Sequence, residues 1–109
     1  MALLYIELFA FAQAGGFQHA PLQAPKKYLE RFPKITEEKR QLFAAMMAAM
    51  DDGVGRVMAK IRAMGQEENT LVFFIADNGG PTASTTSHNG PLRGFKMTTF
   101  EGGPRVPFL

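Results

Sequence analysis

Two groups of residues in this chain of 109 have the types and spacing to do chemistry. The first is Asp77-Asn78-Gly79-Gly80, which ends the apolar run Leu71-Val-Phe-Phe-Ile75. Carboxylate and carboxamide oxygens are the donors that hard cations such as Ca²⁺ and Mg²⁺ take. The second runs from Gly90 to Pro107 and sets Arg93, Lys96, Glu101 and Arg105 among glycines and threonines. A fixed cation from this stretch, beside a metal held by the first, would suit the binding and cleavage of a dianionic ester. Plain alternatives stand beside both: Asp-Asn-Gly is good turn chemistry with no metal at all, and Lys96 by itself reads first as an exposed loop lysine.

Three other groups are weaker. His19 is a single imidazole in a loop that carries Pro21 and Pro25, and by itself it reads as a structural or surface residue. His88 lies near Ser84 and Ser87, but nothing resembles the Gly-x-Ser-x-Gly elbow that exposes a nucleophilic serine. Asp51 and Asp52 are adjacent within a helical pattern, so their side chains point about 100° apart and do not converge on one ion. They read as helix-surface or packing residues. Arg93, Glu101 and Arg105 read as an internal hydrogen-bonding set that holds the loop, since charges taken from water need partners.

The elements that must position these groups follow from periodicity. Leu71 to Ile75 predicts a strand buried on both faces, as parallel strands are. Asp77 and Asn78 then fall at its carboxyl end, where open α/β sheets place ligand sites. Upstream, Phe43, Met46, Met47, Met50, Val54, Val57, Ile61 and Met64 keep three- and four-residue spacing. This predicts one long helix from Thr36 or Glu37 to Met64, with that stripe buried. Thr36 is the expected N-cap, and Gly65 the expected left-handed residue past the end. Gly53 and Gly55 inside the helix each cost about 1 kcal/mol relative to alanine, which points to close packing against a sheet or to a local break. Lys26 to Phe32 predicts a short helical turn stopped by Pro33, and Leu3 to Phe11 a buried strand. From Gly79 to Gly103 the chain is rich in loop residues. The expected fold is α/β, a mostly parallel sheet with one long helix packed on it, in a single incomplete domain.

Composition excludes several classes. Twelve Lys and Arg against ten Asp and Glu give a formal charge of +2. The cluster Lys26, Lys27, Arg31, Lys34, Lys39, Arg40 is mixed with glutamates, so it reads as a solvated helix face and not as a nucleic-acid surface. The apolar start has no basic residue ahead of it, and Glu7 interrupts it, which argues against a cleavable export signal. It is also too short to cross a membrane. The absence of cysteine excludes disulfides and cysteine-bound zinc. A chain of this length buries roughly 65% of its unfolded surface. Strands without neighbours would leave apolar faces uncovered, so self-association is expected.

Several motifs in one order resemble the sulfatase family, of the arylsulfatase type. They are His19-Ala-Pro-Leu-Gln-Ala-Pro25, Ala49-Met-Asp-Asp-Gly-Val-Gly-Arg56, Asp77-Asn78-Gly79-Gly80, Asn89-Gly-Pro-Leu-Arg-Gly94 and Thr98 to Pro107. The resemblance implies part of an alkaline-phosphatase/sulfatase-like catalytic domain, its later portion. It implies hydrolysis of sulfate monoesters with Ca²⁺ and a formylglycine made from cysteine or serine. Asp77 and Asn78 match the family's calcium ligands, and Lys96 and His19 match residues that contact the sulfate. The chain departs from the pattern at Gln18, where the family usually has proline, and at Phe95 and Met97, where it usually has small residues. Pro104 stands where the family usually has a branched apolar residue.

No cysteine is present, and no serine has the x-Pro/Ala-x-Arg context of the nucleophile. The chain alone is therefore expected not to turn over. Two other readings remain: a non-catalytic remnant, and a phosphatase or phosphonate hydrolase of the same superfamily. The pattern Gly94-x-Lys96-x-Thr-Thr-x-Glu-Gly-Gly103 favours the sulfatase over the latter. Family members are commonly secreted, periplasmic or lysosomal; the sequence leaves compartment and substrate identity open.

Overall fold

The structure, a computed structural model, describes residues 22–109. The expected strand over residues 3–11 and His19 therefore lie outside the described residues. The chain forms two compact units, divided after Asn69.

In the first unit, helix α1 (Lys26–Leu29) precedes a long helix α2 (Glu38–Ala63). Pro25 sets the start of α1, its carbonyl accepting from the Tyr28 amide at 2.9 Å. The Gln41 carboxamide on α2 donates to the Phe32 carbonyl at 3.1 Å and to Leu29 at 3.5 Å, which satisfies carbonyls left over where α1 ends. The N-cap of α2 is Glu37 and not Thr36: the Glu37 carboxylate accepts from the Arg40 amide at 3.1 Å. A carboxylate there also meets the positive end of the helix dipole. At the other end, Gly65 has φ +65°, its amide donates to Arg62 and the Gln66 amide to Ile61. This pair of bonds is the Schellman closure, which wants a glycine at the left-handed position. A short 3₁₀ turn, Glu67–Asn69, follows, and Glu67 pairs with Arg62 of the last helical turn at 2.8 Å.

The face of α2 that is covered shares Met46 with the expected stripe but is centred on smaller residues. Ala45, Ala49 and Gly53 are buried, four residues apart and so one above another, with Met46 beside them. Tyr28 packs on Ala45 and Ala49, ringed by Ala24, Leu29, Phe32 and Ala48. Small residues let the α1 segment come close enough for a tyrosine ring to be nearly enclosed. Lys27 and Arg31 sit 4.7 and 4.8 Å from that ring's centre. Val54 and Met64, members of the expected stripe, are exposed. Gly53 is buried, whereas Gly55 has only open space around it.

In the second unit, Thr70–Leu109, the expected mostly parallel sheet does not form among the described residues. Among the described residues, the run from Leu71 pairs with the segment before Leu109, antiparallel, in an isolated bridge between Ile75 and Phe108. Phe74 and Leu109 exchange amide–carbonyl bonds of 2.9 and 3.0 Å, and the Phe73 and Phe108 rings lie 5.7 Å apart. Leu71 and Ile75 are 80% and 59% exposed, so the burial read from their composition is absent. The reason is physical: a parallel strand is ordered by neighbours reached through long crossover connections, and the neighbour found among the described residues is an antiparallel segment. Beyond Gly80 the unit has a four-residue helix α3 (Thr82–Thr85) and turns. Buried Thr85 donates its hydroxyl to the Pro81 carbonyl at 3.1 Å.

Candidate functional site

The polar loop at the end of the apolar run is fixed by its glycines. The Gly79 amide donates to the Gly103 carbonyl at 2.7 Å, and the Gly102 amide to the Arg93 carbonyl at 2.7 Å. Gly79, Gly102 and Gly103 are all buried. A Cβ on Gly79 would fall on the Gly102 carbonyl oxygen, and one on Gly103 on the Thr98 carbonyl oxygen. The chain after Asp77-Asn78 and the Gly-Gly pair near the end thus interlock backbone to backbone, closer than any side chain permits.

Asn89 makes a second tie. Its Oδ1 accepts from the Gly80 amide at 2.8 Å, and its Nδ2 donates to the carbonyls of Gly80 at 2.9 Å and Gly94 at 3.2 Å. Gly94 has φ +92°, and a Cβ there would crowd Thr98 and Phe100. It leads into a turn, Phe95 to Thr98, closed by Thr98 amide to Phe95 carbonyl at 3.0 Å and reinforced by the Thr98 hydroxyl, which donates to the same carbonyl at 2.7 Å. Lys96 occupies the second position and Met97 the third, with φ +70°. A left-handed third residue marks a type II turn, which favours glycine there.

Asp77 and Asn78 are brought together: the Asn78 carboxamide donates to Asp77 Oδ1 at 2.7 Å. Their oxygens are hard donors of the kind Ca²⁺ takes, and so fit it in kind, but two side chains cover only part of a shell of six to eight. No group of three or more His, Asp or Glu residues with metal-holding geometry exists among the described residues. Lys96 is half-buried on its turn. Asp52, set aside as a ligand from its helical position, is bound bidentately by Arg31 at 2.7 and 3.0 Å. Its carboxyl is held below the usual carboxylate range, chiefly by those hydrogen bonds. Ser84 donates to the Pro81 carbonyl, and His88 Nδ1 accepts from the Gly90 amide at 3.1 Å, so each is engaged locally and they make no catalytic pair. Of the expected loop set, Glu101 and Arg105 pair at 3.1 Å, while Arg93 lies over the Phe100 ring at 3.9 Å. Asn89 is the residue that sequence reasoning passed over. Its signal was there in the glycines at 80 and 94, which let a side-chain amide reach two backbones.

The family model for sulfatases matches residues 15–109, and the chain belongs to the sulfatase family. It is 40% identical over 89 residues to arylsulfatase J of Mus musculus, covering 81% of this chain and 14% of that protein. It is 36% identical over 94 residues to N-acetylgalactosamine-6-sulfatase of Rattus norvegicus, covering 84% of this chain and 17% of the relative. Among solved structures, that of Ps i-CgsB in complex with k-i-k-neocarrahexaose matches with a TM-score of 0.77 and 41% identity, over 83% of this chain and 20% of that one. These likenesses place the chain in an alkaline-phosphatase/sulfatase-like domain, of which it spans a small part.

Proposed function

We propose that this chain supplies part of the calcium- and sulfate-binding site of a sulfuric ester hydrolase. The observation that carries the reading is the glycine interlock, which ties Asp77-Asn78 to the segment that bears Lys96 through the Gly79–Gly103 and Gly102–Arg93 bonds. Asp77 and Asn78 hold Ca²⁺ through their side-chain oxygens. The ion, when bound, supplies positive charge against the negative charge that grows on sulfate oxygens as the S–O bond breaks. Lys96 offers a cation to the same sulfate from its turn, and His19 a further hydrogen bond. The chain has no cysteine, and no serine in the nucleophile context, so it binds without turnover.

A thermal melt with and without millimolar Ca²⁺ tests the reading. Binding to the folded form alone stabilises by RT ln(1 + [L]/Kd), about 1.4 kcal/mol at ten times Kd. The midpoint is expected to rise with Ca²⁺ and to stop responding in Asp77→Ala. A cooperative transition indifferent to Ca²⁺ would remove the metal assignment. The exposed run Leu71, Phe73, Ile75 with Phe108 and Leu109 supports a second property, self-association along this edge. Sedimentation that stays monomeric across a hundredfold concentration range would refute it.

A further inference from the structure

The three hydrogen bonds of Asn89 fall on a particular pair of residues. Gly80 lies two positions after Asn78, and Gly94 two positions before Lys96. We propose that Asn89 is a positioning residue that couples the two halves of the site, so that a cation at Asp77-Asn78 strengthens sulfate binding at Lys96. The inference rests on the reading above and adds to it a regulatory link between the two ligands.

The geometry is specific to an amide. Toward Gly80, Asn89 both accepts from the amide and donates to the carbonyl, as the opposite residue does in an antiparallel hydrogen-bonded pair. The second proton of the same nitrogen goes to the Gly94 carbonyl. Rotating the amide by half a turn would set its oxygen against two carbonyl oxygens and its nitrogen against an N–H, so the network fixes the orientation. Aspartate could keep the bond from the Gly80 amide but would face both carbonyls with a carboxylate oxygen. The far end is tightly packed as well: Gly94 has φ +92°, and the space a Cβ would take there is filled by Thr98 and Phe100. When ligation orders Asp77 and Asn78, Gly80 shifts or settles with them. Asn89 passes that constraint to the carbonyl at the head of the Lys96 turn.

The test uses the 109-residue chain, CaCl₂ and methyl sulfate as a soluble monoester probe. Methyl sulfate affinity is read from amide shifts of Gly94 to Met97, without Ca²⁺ and at saturation. The wild-type chain is expected to bind the probe roughly five-fold or more tightly with Ca²⁺, the lower end of ordinary coupling between sites. In Asn89→Asp and Asn89→Ala that ratio should fall toward one, although each variant still binds either ligand alone. A purely structural role would weaken both ligands and lower the melting point while leaving the ratio intact. An unchanged ratio in the variants overturns the proposal, because the coupling would then run through space between the two charges. A wild-type ratio of one, with Gly94 and Phe95 amides that ignore Ca²⁺, overturns it whether or not the variants fold. If the wild type binds neither Ca²⁺ nor methyl sulfate, the site assignment itself fails and the coupling falls with it.

Discussion

The two units of the chain are ordered by opposite means. In residues 22–69 a side chain does the holding: Tyr28 is enclosed by Ala45 and Ala49, and Arg31 grips Asp52 across the same junction. In Thr70–Leu109 most of the large apolar residues are exposed, and order comes from main-chain bonds among glycines with one asparagine amide between them. A helix can close all its backbone bonds within itself and needs only one face covered, so a short partner segment suffices. A single extended run cannot, because its bonds lie sideways and call for neighbouring strands. Among the described residues, the candidate site in this second unit therefore takes its shape from backbone contact.

That contrast is broken most severely on the helical side by Tyr28→Ala. Removing a nearly enclosed aromatic ring typically costs 3–5 kcal/mol, and about 3 kcal/mol is expected here because the surrounding cluster is small. Far-ultraviolet circular dichroism should show the helical transition moving to lower temperature. If the midpoint is unmoved, Tyr28 is not what holds α1 to α2.

Gly79→Ala is the matching cut in the other unit. The new methyl would strike the Gly102 carbonyl, and no rotamer can relieve a backbone overlap. Overpacking of this sort costs about 1–3 kcal/mol, and the upper end is expected. Hydrogen exchange should quicken at Gly79, Gly102 and the turn around Lys96 while the α2 amides stay protected. Faster exchange along α2 as well would mean that the two units do not owe their order to separate sources.

Two substitutions sharpen the comparison from the stabilising side. Gly55→Ala fills open space on α2 and should add about 1 kcal/mol by helix propensity alone. Met97→Gly should add about 1–2 kcal/mol, since a left-handed backbone is costly for any residue with a Cβ. The Met97 side chain is 93% exposed, so little packing is lost in exchange. Denaturant midpoints measure both. No gain from Met97→Gly would mean that the turn does not hold that φ in solution.

What was legible in the sequence divides along the same line. The long helix and its Gly65 stop were readable because they are local chemistry within one turn of the chain, while its cap fell one residue later than expected, on Glu37. Its buried face was read only in part: Met46 of the expected stripe is buried, but large apolar residues at helical spacing outweighed a row of alanines and a glycine, whose value appears only once Tyr28 lies against Ala45 and Ala49. The strand from Leu71 was readable as apolar and extended, but burial and parallel pairing are properties of neighbours. The Asp77-Asn78 loop, the Lys96 segment and their glycines were legible as ordered motifs. How they are joined, through Gly79 to Gly103 and Asn89 to both glycines, was not, because contacts between residues far apart in the chain leave no periodicity.

The smallest effect expected is electrostatic and belongs to the helical unit. The Arg31 guanidinium lowers the Asp52 carboxyl from its ordinary 3.8. A folded-state value below the unfolded one means that the contribution is present above the unfolded pKa and is lost as pH falls through the folded one. The stability of this unit should therefore be flat with respect to this pair above about pH 5 and decline below pH 4 as Asp52 takes up a proton. Both groups are substantially exposed, so the pair is weak and screened by salt. Asp52→Asn should remove that part of the acid slope and lower stability only slightly at neutral pH. If the acid slope of the variant equals that of the wild type, the enclosed Tyr28 ring is what holds the junction, and the ion pair merely decorates it.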